Sequence, residues 1–164
     1  MSLERELDEL DAWAGRPDMS APAVSGWSIH RQVEHSAIAV REILGVVHQL
    51  LAGGGEMGGR VGPTGALILL TGWIPRGKAQ APEVVMPAET PDVGAIRAAI
   101  TEARRLAATA APARGGRRFL HPALGPMNAR QWLRFARIHT RHHLKIVRDI
   151  ARAAGRPVAG AGSR

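Results

Sequence analysis

The stretch from Asn128 to Gly155 constrains this chain more than any other, because its polar and apolar residues separate onto two faces of one long helix. At about 100° per residue, Arg130, Arg134, Arg137, Arg141, Lys145, Arg148 and Arg152 fall on one narrow stripe. Trp132, Phe135, Ala136, Ile146 and Ile150 fall opposite. The ends are equally well marked. Asn128 is the N-cap and Gln131 follows three residues later, the spacing of a capping box. Met127 and Trp132 flank the cap as a hydrophobic staple does, and Gly155 with Pro157 beyond it stops the helix. A helix with one apolar stripe must bury that stripe against other elements.

Three further main helices can cover it. The first is predicted over about Ser2 to Ala14, with Leu3, Leu7, Leu10 and Trp13 at helical spacing, ended by Gly15-Arg16-Pro17. The second is predicted from its N-cap Ser28 to about Ala52, with an apolar stripe of Ile29, Val33, Ser36, Val40, Ile43, Val47 and Leu50. Gly53-Gly54-Gly55 stops it. The third has Thr90 as predicted N-cap and Pro91 at its first position. Asp92 then favours the helix dipole, and Ile96, Ile100 and Leu106 run on to about Ala110. Residues 56–90 are irregular, with a short helix opened by Pro63 that runs through Leu67 to Trp73 and is closed by Pro75. The stretch Ile74 to Pro82 reads as an ordered loop, of a length that in small domains wraps the core or carries function. No strand is predicted. The expected fold is all-α, a four-helix bundle with a long irregular connection between helices 2 and 3. Residues 1–157 are read as one domain and 158–164 as a disordered tail.

Bulk properties narrow the function. The chain has 164 residues and no cysteine, which excludes disulfides, zinc ribbons and a thiol nucleophile. The acidic opening, Met1 to Asp11, does not read as a signal peptide, and the apolar run Ala66 to Leu70 is too short to span a bilayer. The expectation is a cytoplasmic protein of bacterial type with no membrane partner. Charge is unevenly placed: residues 1–102 carry 8 basic and 13 acidic side chains, and residues 103–164 carry 14 basic and 1 acidic. Such asymmetry fits a nucleic-acid binder using the arginine stripe, or an acidic half packed beside a basic half. The stripe has no interleaved aromatics, so packing is the favoured reading and nucleic acid the lesser one.

His139 and His143 lie in the middle of the apolar stripe of the last helix, four residues apart and far from the arginines. A buried neutral imidazole must satisfy both a donor and an acceptor. Two on adjacent turns compete for partners, and a shared divalent metal that takes a lone pair from each removes the conflict. Two core histidines bonded separately are the alternative. No Glu follows His139, so the zinc-protease pattern is absent. A third ligand would come from His30, His35, His48, His121 or His142, and periodicity leaves the choice open. His35 sits on a flank of the second helix, off its main stripe. His142 points to the edge of the core face and suits a contact beside the site or an exposed place. His121 precedes Pro122 in the loop feeding the last helix, while His30 and His48 read as surface residues.

Three segments resemble the DinB/YfiT-like superfamily of metal-binding four-helix bundles. They are Gly26-Trp27-Ser28 leading into Val33-Glu34-His35, His121 to Pro126 followed by Gln131-Trp132, and Ile138-His139-Thr140-Arg141-His142-His143-Leu144. The loop Ile74 to Lys78, with Ala81-Pro82-Glu83 and Met86-Pro87, is similar to an uncharacterised branch of that superfamily. The similarity covers about residues 10 to 152. By position it implies His35, His139 and His143 as ligands of a divalent metal, zinc, nickel or iron. It further implies a homodimer and an activity such as thiol (S-)transfer or hydrolysis on a small molecule, with a low-molecular-weight thiol as one co-substrate. The residues expected near substrate are His121, His142 and Arg76. Positive charge for a thiolate would come from Arg76, Lys78 or Arg141, and a base would be a metal-bound hydroxide or His121. The competing functions are a non-catalytic bundle stabilised by its metal and a nucleic-acid-binding module.

Overall fold

The computed structural model describes residues 3–77, 81–110 and 116–155. Ser2, Lys78 and the tail read from Val158 to Arg164 lie outside those residues. The helices are α1 (Leu3–Ala14), α2 (Ile29–Leu51), α3 (Pro63–Thr71), α4 (Val93–Thr109) and α5 (Ala129–Ala154). The protein is predominantly helical, as expected. The four long helices pack with α2 at the centre, most extensively against α5, then against α4 and α1. Among the described residues no helix is long and apolar enough to cross a membrane.

The α5 N-terminus forms as its sequence dictates. Gln131 N donates to Asn128 Oδ1 and Asn128 N donates to Gln131 Oε1, both at 3.0 Å, which closes the capping box. Met127 and Trp132 are both buried in the core. The α4 start differs from expectation by two residues. Asp92, not Thr90, is the N-cap, and its Oδ1 accepts from Ala95 N at 2.6 Å. A carboxylate there answers both the free amide and the positive end of the helix dipole, so it prevails over a hydroxyl. Pro91 therefore precedes the helix. The short helix α3 ends at Thr71, before Trp73, because Gly72 takes the left-handed conformation (φ 68°) and its N–H closes on the Ile68 carbonyl.

The absence of strands was a wrong expectation. β1 (Glu56–Met57), β2 (Arg117–His121) and β3 (Gly125–Met127) form a small antiparallel sheet in the order β1-β2-β3. Its residues show no alternation and include Pro126 and Gly125; β3 folds back on β2 across a local turn, whereas β1 reaches β2 from a distant part of the chain. The β2–β3 hairpin delivers His121 to the N-terminal end of α5. A 3-10 turn, Glu83–Val85, lies against α2.

The charge asymmetry resolves into pairing within the molecule. Arg97 and Arg104 of α4 reach Asp8 and Asp11 of α1. Arg148 of α5 pairs with Glu9, and Arg76 and Arg152 share Asp149. Arg141, on the arginine stripe, has its Nε 3.5 Å from Oε1 of Glu6, a side chain buried at 2 % exposure. The exposed pairs contribute little each, about 0–1 kcal/mol, and follow the face of α1 that its buried Leu7, Leu10 and Trp13 already turn to the bundle. Glu6 differs, because neither of its buried oxygens accepts a hydrogen bond. An ion pair of that kind costs desolvation, whereas an unpaired buried carboxylate costs more. Glu6→Met is expected to unfold at the same or a higher urea midpoint than the parent. Arg141→Ala should unfold at a lower one, by about 1–2 kcal/mol once the exposure of the arginine is allowed for. The opposite order would overturn this account of the pair.

Candidate metal centre

His35 projects from α2 into the interface with α5 and is 3 % exposed. The sequence placed it on a flank, outside the apolar stripe. That flank is buried because α2 is covered on several sides: α5 on one, α4 and α1 on others, and the Glu83–Val85 turn beside His35 itself. His139 and His143 face it from successive turns of α5. Ring centroids lie 4.5 Å apart for His35–His143 and His139–His143, and 5.2 Å apart for His35–His139. One nitrogen from each ring lies within 4.8 Å of the other two. The three residues thus form a cluster able to hold a metal ion.

Protonation fits that use. His35 Nδ1 lies 2.7 Å from the Val85 carbonyl, which only accepts, so Nδ1 carries the hydrogen and Nε2 keeps its lone pair. His143 Nδ1 lies 2.7 Å from Gln32 Oε1. His139 Nδ1 is enclosed without any hydrogen-bond partner, the kind of buried polar atom that asks for an explanation. Burial depresses the pKa of all three. His139 falls to about 3, by desolvation first and then by the neighbouring His35, His142 and His121. His143 falls well below its usual value for the same leading reason, and His35 is lowered by burial against an opposing bond to Val85. Three neutral imidazoles sharing one locus, two with Nδ1–H turned outward to oxygen, are a donor set that suits a divalent cation.

The remaining sequence candidates separate clearly. His142 packs edge-on against His143, ring centroids 5.1 Å apart, at the margin of the cluster. Its pKa drops to about 4 through burial, then through Arg76, His35 and Lys145. Arg76 is held beside it by Asp149 at 2.6 Å. His121 lies against Phe135 and Trp132, at ring-centroid distances of 5.0 and 5.4 Å, and outside the three-histidine cluster. Ala123 N donates to its Nδ1 at 3.1 Å, so the lone pair that a base would need is already engaged. His121 accordingly presents Nε2–H as a donor, and the base role considered for it is not what this geometry supplies. Arg141 is turned toward Glu6 on α1. His30 and His48 lie outside the cluster, but they are more than surface residues: each donates Nε2–H to a backbone carbonyl, of Arg16 and Leu106 respectively.

Sequence reasoning missed three contributors. Gln32 and Glu34 are buried on α2 beside His35, and Val85 supplies the carbonyl behind it. Glu34 Oε2 accepts from Ala88 N at 2.7 Å, so adjacent α2 residues fasten both ends of the segment from Val85 to Ala88. Polar residues amid a helical apolar run were the available signal for Gln32 and Glu34. Nothing local pointed to Val85.

The depressed histidines give a pH prediction. In the unfolded chain these groups titrate near 6.5, and in the folded protein His142 and His139 titrate near 4 and 3. Between those values the unfolded chain binds more protons, so acid favours unfolding. In metal-free protein this contribution is complete above about pH 6.5 and is lost as pH falls toward 4 and 3. Urea midpoints between pH 7.5 and 4.5 should fall steadily, and substitution of His139 and His142 by Gln should flatten the profile. An unchanged slope in that double variant would exclude these groups as its cause.

Comparison with known proteins places this geometry in a family. The profile described as the DinB superfamily matches residues 4–147, a span that contains all three clustered histidines. No curated protein and no solved structure matches the chain. The chain belongs to the DinB superfamily.

Proposed function

We propose that this protein binds one divalent metal ion through His35, His139 and His143 and uses it on a small-molecule substrate, as a transferase or hydrolase. The observation that carries the reading is the convergence of three neutral imidazoles from α2 and α5, two buried and His139 half-buried, on one locus with no carboxylate among them. Bound there, zinc, nickel or iron would act as a Lewis acid toward a coordinated thiolate or water. The chain's own residues supply the surroundings. Arg76, anchored by Asp149, brings positive charge beside the half-buried His142, a neutral imidazole next to His143, and can orient an anionic group there. His121 offers Nε2–H as a donor and no free lone pair at Nδ1. A low-molecular-weight thiol, ionised when it binds, fits this distribution of charge. With the family membership, the same reading takes residues 1–157 as one cytoplasmic domain and the assembly as a homodimer.

A second reading, a bundle that its metal merely stabilises, is favoured by the engaged lone pair of His121, which leaves that residue unable to serve as a base beside the cluster. The nucleic-acid reading loses support, because Arg141, Arg148 and Arg152 of the stripe already have acidic partners.

Protein purified without added metal should carry close to one divalent ion per chain by elemental analysis, and His139→Ala should lose it. A ligand present at about 100 times its dissociation constant adds roughly 2.7 kcal/mol, so chelation should lower the melting temperature of the parent but not of His139→Ala. Unchanged metal content in His139→Ala would refute the site. Loss of thiol-conjugation or hydrolytic turnover on chelation, tested separately from melting, distinguishes the enzyme from the stabilised bundle.

A further inference from the structure

Two of the three clustered histidines turn Nδ1 toward an oxygen, but the oxygens differ in kind. Val85 offers a backbone carbonyl, which cannot donate, so the tautomer of His35 follows from the backbone alone. Gln32 offers an amide, and an amide can be turned round. With Oε1 toward His143, the imidazole must carry its hydrogen on Nδ1 and direct the Nε2 lone pair elsewhere. With the amide reversed, Nε2–H of Gln32 would donate to His143 Nδ1. The hydrogen of His143 would then sit on its own Nε2, where it blocks coordination. The state of His143 therefore depends on what holds the far end of Gln32.

Ser25 holds it. Gln32 Nε2 lies 2.9 Å from Ser25 Oγ, and Ser25 Oγ also accepts from Trp27 N at 3.0 Å. The loop before α2 thus presents to the amide nitrogen an oxygen that accepts from both Gln32 and Trp27; reversing the amide would require the Ser25 hydroxyl to turn its own hydrogen onto Gln32 Oε1. The bond to His143 is also enclosed: Gln32 is 4 % exposed and His143 8 %, so bulk water does not compete for it.

We propose that Gln32, oriented by Ser25, is a positioning residue that fixes His143 as the Nδ1–H tautomer and so makes its Nε2 available to a divalent metal. This rests on the metal-binding reading above for its consequence, but the tautomer itself is a property of the metal-free protein. A hydrogen-bond partner behind a ligand histidine commonly changes metal affinity by about 10–100-fold.

The experiment has two arms on the full chain. Long-range ¹⁵N–¹H correlation of metal-free protein, with His143 assigned by comparison with His143→Gln, reads the tautomer directly. It should show a protonated Nδ1 and a free Nε2 at neutral pH. Zinc titration against a competing chelator reads affinity for the parent, Gln32→Leu, Gln32→Glu and Ser25→Ala. Gln32→Leu should bind about 10–100-fold more weakly, and Gln32→Glu, which keeps an acceptor at the same place, should bind at least as tightly as the parent. Ser25→Ala, a milder change that leaves Gln32 in place, should weaken zinc and mix the His143 tautomers; it carries the affinity arm should Gln32→Leu not fold. An Nε2–H tautomer in the parent would overturn the inference, as would parental zinc affinity in folded Gln32→Leu. If the parent binds no zinc, nickel or iron, the metal reading fails, while the spectrum still decides what Gln32 does to His143.

Discussion

Burying three imidazoles between α2 and α5 is the constraint from which much of this structure follows. Each ring brings a donor and an acceptor out of water, and each must remain neutral to be tolerated there. The donors on His35 and His143 are answered from different sources, a carbonyl in the Glu83–Val85 turn and a side-chain amide on α2. Answering the first requires the irregular segment after α3 to return to α2, and the bond from Ala88 N to Glu34 holds it there. Answering the second requires the loop before α2 to bring Ser25 back over Gln32. Segments that look unstructured in isolation are thereby tied to the centre of the bundle.

Electrostatics organises the outside in a complementary way. The acidic first helix lies against the basic α4 and α5, and its carboxylates neutralise part of the arginine stripe. The cluster itself contains no carboxylate, and the charges nearest to it are Arg76 and Lys145 around His142. Core and surface are kept apart by the geometry of α5, whose two faces carry opposite chemistry.

Much of the fold was legible because helices announce themselves locally. The α5 capping box needs only Asn128 and Gln131, and the apolar repeats of α1, α2 and α5 need only about 3.6-residue spacing. The sheet was not legible, because Arg117–His121 shows no alternation of its own, its hairpin partner Gly125–Met127 carries Gly125 and Pro126, and its other partner Glu56–Met57 is distant in sequence. The α4 start was misread because two capping residues stand within three positions, and local rules do not weigh a carboxylate against a hydroxyl in context. At the site, spacing gave the pair His139 and His143. His35 came from family resemblance, since a flank position cannot be known as buried until its neighbours are known.

The sequence by itself determined the helical register of α5, and with it a histidine pair that has to lie inside, opposite the arginines. Periodicity is a property of consecutive residues, so no partner was needed to read it. Only the tertiary structure decided that the flank of α2 carrying His35 is covered, that Val85 and Gln32 stand behind His35 and His143, and that Arg141 meets Glu6. Each of those depends on residues more than 40 positions apart in the chain, brought together by packing that no local pattern encodes.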